Sequence, residues 1–200
     1  MATLLFLLTF LSLLILLIRL IIKAIRHKPV KPTLKTIGII AGVYLVLWTG
    51  FYIKSSFITV PLGTDVCFDD WCATVTQIET SGAAQTKLPP LGTDSTWVIL
   101  HIKMSNQARG IAQKPSEPRV HLIEENGNYW EYSAKGQQAL EQKTGKQPGI
   151  DSRLELHQSL ETQLVFAMPS NAKKVKALIE EGPFITKLLL ADDRDVFEVP

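Results

Sequence analysis

No aspartate or glutamate occurs before Asp65. Residues 1–64 carry Arg19, Lys23, Arg26, Lys28, Lys31, Lys35 and Lys54, with no acid to pair with them. All 19 acidic residues follow, against 14 Lys and Arg, a balance of −5. The formal charge of +2 is therefore the sum of two unlike pieces. The acidic piece argues against nucleic acid as a partner. Cysteine is scarce as well: only Cys67 and Cys72 are present, with no second pair to complete a zinc site. A nucleophile elbow, a glycine-rich phosphate loop and a zinc-protease helix are all missing. The sequence therefore gives no reason to expect an enzyme, a cofactor or a metal.

What the first piece does contain is apolar length. Thr3 to Ile18 is uncharged and almost all Leu, Ile and Phe. Extended through Arg19 to Ile22, it makes about 20 residues, or roughly 30 Å of helix, which matches a bilayer core. Arg19 lies near one end, where its stem can reach the headgroups. A cleaved signal peptide would put basic residues before the apolar run and small ones after it. Here the order is reversed. No lipobox cysteine follows, so a lipoprotein is not expected. Ile37 to Ile53 is a second uncharged run, with Tyr44, Trp48, Phe51 and Tyr52 toward its C-terminal end, where interfacial aromatics belong.

The predicted anchor thus covers residues 1–54, with transmembrane helices at about 3–22 and 37–53. Between them, 23–36 forms a loop holding Lys23, Arg26, Lys28, Lys31 and Lys35, plus Pro29 and Pro32. Short basic loops stay cytoplasmic, so both ends of this hairpin are expected outside. Gly38 and Gly42 make a small-xxx-small pair, suited to close contact with the first span or with a second copy as a homodimer.

From Phe57 onward, short runs of β-formers alternate with turn residues. Strands are predicted at Phe57–Leu62, Cys72–Glu79, Trp97–Ser105, Arg119–Glu124, Tyr129–Ser133, Glu161–Ala167, Val175–Glu180, Ile185–Ala191 and Val196–Val199. In the third of these, Val98, Leu100, Ile102 and Met104 fall on one face. Asn126-Gly127 marks a hairpin. Ala134–Lys143 is the one stretch of helix formers, read as an excursion in a connection, and Ser81–Ser95 reads as a mobile loop. This pattern predicts a mainly β chain folded as an antiparallel β-sandwich over residues 57–200.

Three strings then resemble one family. WVILHIKMSNQARG is similar to a long apolar strand, then Asn, then a polar turn. VHLIEENGNYWEYS is similar to a strand, an acidic residue, x-Gly, x-Tyr hairpin. LHQSLETQLVFAMPSNAKKVKALI is similar to a strand ending Val-Phe-x-x-Pro before another strand. In this order they resemble the telokin-like, immunoglobulin-like domains of bacterial surface proteins and lipoproteins. The resemblance implies an immunoglobulin-like sandwich without catalytic activity, of the kind that serves adhesion, assembly or accessory roles. Two spans replace the lipid-attached cysteine of that family's common arrangement.

Cys67-Phe68-Asp69-Asp70-Trp71-Cys72 is the most distinctive local string. Its spacing suits a disulfide across the base of a hairpin, with Asp69 and Asp70 in the turn. Closing so short a loop stabilises by about 2 kcal/mol in the chain-entropy model. A redox pair usually has two intervening residues and a basic neighbour, and both are missing. Asp69, Asp70 and Trp71 also form a candidate binding tip, although a Trp71 packed on the core is the favoured alternative. His101, His121 and His157 are expected to be ordinary strand residues, and Asp192, Asp193 and Asp195 a solvated turn.

The expected function is that of a multi-pass protein of the bacterial inner membrane whose non-catalytic extracytoplasmic module binds an envelope protein. The alternative is a ligand- or ion-sensing module that signals through its helices with a partner.

Overall fold

The structure, a computed structural model, describes residues 2–54, 57–68, 70–81, 88–92, 94–182 and 194–199. The chain divides into two compact units. One holds α1 (Ala2–Ile25) and α2 (Lys31–Lys54). The other holds, among the described residues, nine strands and α3 (Ala134–Thr144).

The helices form an antiparallel hairpin. Along α1, Phe6, Thr9, Leu13, Leu16, Leu20 and Lys23 are half-buried. Their spacing alternates between three and four residues, which is the seam of a left-handed helix pair. On α2 the facing residues are Thr33, Ile37, Ile40, Tyr44 and Trp48. Phe6 meets Tyr44 with ring centroids 6.5 Å apart, and Lys23 Nζ donates to Thr33 Oγ1 at 2.9 Å. Both helices are long and apolar enough to cross a membrane. Their hydroxyls are satisfied internally: Ser12 donates to the Leu8 carbonyl and Thr49 to that of Leu45, each at 2.8 Å.

The expected loop of residues 23–36 is corrected to 26–30. Lysine is a good helix former, so Lys23 extends α1 and Lys31 and Lys35 belong to α2. Pro32 is tolerated in the first turn of α2, where a missing N–H costs no hydrogen bond.

The strands form two sheets. One has the order β1 (Phe57–Thr59), β9 (Arg194–Glu198), β8 (Lys176–Glu180), β5 (Arg119–Ile123), β6 (Tyr129–Trp130). The other has the order β2 (Val66–Phe68), β3 (Trp71–Ser81), β4 (Ser95–Asn106), β7 (Ser159–Pro169). Together they make a β-sandwich. It is not wholly antiparallel as expected, because β1 runs parallel to β9. That pairing joins the first and last strands of the sandwich, and no local turn signal could reveal it.

The core between the sheets is built from alternate residues. Val98, Leu100, Ile102 and Met104 all point inward and are buried, as their periodicity predicts. Phe166 joins them, while its neighbour Val165 faces the other way. A second, smaller core therefore lies on the outer face of β4 and β7. It consists of Trp97, Ile99 and Val165 under Leu140 of α3 and Leu88.

The stretch read as a mobile loop contributes to this packing. Leu88 is buried, and the Pro89 carbonyl accepts from Trp97 Nε1 at 2.8 Å. The predicted strand at Ile185–Ala191 lies outside the described residues.

Candidate functional site

Cys67 and Cys72 are bonded to each other and sit directly opposite in the β2–β3 ladder. The cystine therefore closes the hairpin at its turn, as expected. Trp71, however, is a correction to the candidate tip. It is only 3% exposed, belongs to the inter-sheet core and lies 5.4 Å from the Phe68 ring. An indole facing solvent would forfeit that burial. Asp70 remains exposed. Its carbonyl accepts from the Gln107 N–H at 2.8 Å, and its carboxylate accepts from Gln113 Nε2 at 3.3 Å. Asp69 lies outside the described residues.

These bonds tie the hairpin turn to the loop of residues 107–118, and Asn106 holds that loop to a second one, residues 145–158. Its amide nitrogen donates to the carbonyls of Ile111 (3.0 Å), Leu154 (3.1 Å) and Glu155 (3.2 Å). Its oxygen accepts from the Ala108 N–H at 2.8 Å. The side chain is 1% exposed and well satisfied. Gln113 and Leu154 then pair as an antiparallel bridge. Two residues from that bridge, on either loop, Ile111 and Leu156 are both exposed. Sequence reasoning did not single out either residue. Lone apolar residues in polar loops carry no signal until the loops are paired.

The opposite end is held by Glu124. Its carboxylate accepts from the Lys173 N–H at 2.9 Å and from Asn128 Nδ2 at 3.1 Å. The Lys173 bond, more than the Asn128 one, holds the carboxyl below the usual carboxylate range. Glu125 is lowered in the same way by its bond to Lys174 Nζ, whose own ionisation is raised. A depressed carboxylate contributes stability above its ordinary value of 4.5, and this is lost as pH falls through the lower folded value. The substitution Glu124→Gln is therefore expected to lower the melting temperature at pH 7. The gap to the parent chain should close in melts run well below pH 4.5; an unchanged gap across that range would refute the assignment.

The strings that carried the family resemblance can now be placed. Its Asn is the loop pin Asn106, its acidic residue is Glu125, next to the hairpin staple Glu124 and paired with Lys174, and its Val-Phe pair is the two-faced Val165 and Phe166. Asn106, Val165 and Phe166 hold the fold together.

The histidines stay apart. His101 lies on the outer face of the second sheet, accepting from Gln163 Nε2 at 3.2 Å through Nδ1. Its Nε2 therefore carries the proton and donates to Glu79 Oε1 at 2.9 Å. His121 meets Tyr129 edge-on at 5.6 Å in the other sheet. His157 sits in an exposed loop with φ 57°. Among the described residues, no group of three or more His, Cys, Asp or Glu side chains comes together. Asp195 belongs to β9; Asp192 and Asp193 lie outside the described residues.

Of the sheet edges, β7 is occupied. The Gln137 side chain acts as a substitute peptide, donating to the Gln163 carbonyl at 2.9 Å and accepting from the Val165 N–H at 3.2 Å. Beside it, the Ser133 N–H donates to the Val165 carbonyl at 2.6 Å. Strand addition at this position is blocked.

In the helical hairpin, Gly38 and Gly42 are exposed, and a Cβ built on either would meet nothing within 4 Å. The expected contact with the first span is thus corrected: larger side chains form that seam.

No protein-family model matches the chain, and no curated protein is similar to it. Several solved structures align with part of the chain at low identity. A conserved hypothetical protein from Bacillus anthracis is 14% identical over 60% of this chain and 87% of its own, with a TM-score of 0.46. An uncharacterized beta-sandwich protein from Clostridium difficile 630 is 11% identical over 72% and 95%, with a TM-score of 0.45. A secreted protein from Mycobacterium tuberculosis is 12% identical over 72% and 98%, with a TM-score of 0.46.

Proposed function

We propose that this chain is a non-catalytic interaction module of the bacterial envelope: an immunoglobulin-like sandwich anchored in the inner membrane by a helical hairpin and holding an envelope protein near its outer face. One observation carries the reading. Away from the α1–α2 seam, the hairpin exposes Leu7, Leu8, Phe10, Leu11, Leu14, Ile15, Leu17 and Ile18 on α1, and Ile39, Val43, Leu45, Val46 and Leu47 on α2. So large an apolar surface is unsustainable in water and ordinary in lipid.

Three features support the orientation. Lys23, Arg26, Lys28, Lys31 and Lys35 gather at the hairpin turn, as a cytoplasmic loop would. The acidic residues are confined to the other piece. The cystine suits an oxidising compartment. The absence of a catalytic motif and the structural roles of Asn106 and Glu124 support a binding rather than a chemical task.

Single cysteines at Lys28 and Lys135, introduced into the full chain in intact cells, test the topology. A membrane-impermeant maleimide should label position 135 and leave position 28 untouched until the cells are opened. Labelling of position 28 from outside would overturn the orientation.

A further inference from the structure

We infer that the first turn of α3 is a guard, which keeps β7 from pairing edge to edge with the β7 of a second copy of this chain. All the parts involved lie within the sandwich.

A guard is needed only where an edge is long. Among the described residues, the other strands at sheet edges are short: β1 and β2 have three residues each and β6 has two. β7 has 11, with Thr162, Val165 and Phe166 among them and one charged residue, Glu161. An open edge of that length and composition is a template for another strand.

The template also fits itself. Hydrogen-bonding groups along a strand alternate between its two neighbours. The Gln163 carbonyl and both backbone groups of Val165 face away from β4, since Gln137 and Ser133 use them. Glu161 and Ala167 share that phase. Two copies related by a two-fold axis at Leu164 would therefore exchange bonds between Gln163 and the second copy's Val165, and between Glu161 and its Ala167. No like charges meet in this register, because Glu161 is the strand's one charge. Leu164 would face its own copy on the inner side, where Phe166 and Met168 already belong to the core. Pro169 has no N–H and ends the ladder at the next pair.

The bonds from Ser133 and Gln137 fall on Gln163 and Val165, the residues at the centre of that register. One side-chain amide makes two of them. α3 has 11 residues, fewer than the roughly 12–15 below which an isolated helix is marginal. Its seat depends on that amide, on buried Leu140 and on the close fit of Gly136 to Trp97 and Val165.

The test uses the full chain in detergent micelles, with one nitroxide on Glu161→Cys, an exposed position. Both native cysteines are in the disulfide, so no other thiol reacts. In the pairing centred on Leu164 the two labels stand six residues apart along the ladder, roughly 20 Å. Double electron–electron resonance should not find that distance in the otherwise unaltered chain. It should appear in Gln137→Pro, which removes the amide and the Gln137 N–H bond to the Ser133 carbonyl and so unseats the turn. Gln137→Ala loses the amide and keeps a helix former. There the Val165 N–H should exchange with deuterium several-fold faster, and the same distance should appear in a smaller fraction of molecules. The distance already present before either substitution overturns the guard. Fast Val165 exchange without that distance overturns it too, since the edge then opens and does not pair. Unchanged exchange in Gln137→Ala overturns it as well, because the amide then shields nothing. Should Gln137→Pro fail to fold, Gln137→Ala decides by the same two readouts.

Discussion

Asn106→Asp is expected to be the most damaging conservative substitution in the sandwich. The two side chains have the same shape, so the cost is purely chemical. A carboxylate would face the Ile111, Leu154 and Glu155 carbonyls, where an NH₂ group now donates to all three. It would be buried, and among the described residues the one donor to the present side-chain oxygen is the Ala108 N–H. An unpaired buried charge costs about 3–5 kcal/mol, a large share of the roughly 5–15 kcal/mol that stabilises a domain. Asn106→Leu should cost less, because it leaves the carbonyls unsatisfied without adding charge. Urea unfolding of the detergent-solubilised chain, followed by near-ultraviolet circular dichroism, measures both. A midpoint for Asn106→Asp within experimental scatter of the parent would show that the pin is not structural.

Gly136→Ala should come second, and its sign is instructive. In an exposed helix this change gains about 1 kcal/mol from propensity alone. Here the new Cβ would stand 2.6 Å from Trp97 Cζ3 and 2.7 Å from Val165 Cγ1. Neither atom can retreat easily. Trp97 is buried and tied to the Pro89 carbonyl, and Val165 is fully buried in β7. Overpacking of this kind costs roughly 1–3 kcal/mol, enough to cancel the propensity gain. A net loss of up to about 2 kcal/mol is expected, with a greater loss for Gly136→Val, whose branches would enter the same space. Both variants should also shift the Trp97 emission as α3 lifts from the sheet. An alanine variant more stable than the parent would mean that the helix sits more loosely on β4 and β7 than this contact requires.

What the sequence revealed, and what it hid, follows from the range of each interaction. Alternation along β4 is local, and Val98 to Met104 lie inward as their spacing required. The charge gap before Asp65 and the Asn126-Gly127 turn are local signals too. β2 has three residues, too few for a period to register. The β1–β9 pairing spans more than 130 residues and has no local signature. Trp71 was ambiguous because an indole beside two aspartates suits a tip as well as a core; only the opposite sheet decides. The resemblance singled out Asn106, yet two of the carbonyls it serves are 48 and 49 residues away. Ile111 and Leu156 gave no sign, since lone apolar residues in polar loops carry no period. Gly136 was visible only as a glycine among helix formers, until Trp97 gave it a reason.

The parallel course of β1 beside β9 has a mechanical consequence. Tension arriving at Phe57 and directed along the strand axis loads the β1–β9 hydrogen bonds together, in shear, rather than unzipping them one at a time. A strand of three residues can thus resist a tug that would peel away an equally short hairpin arm.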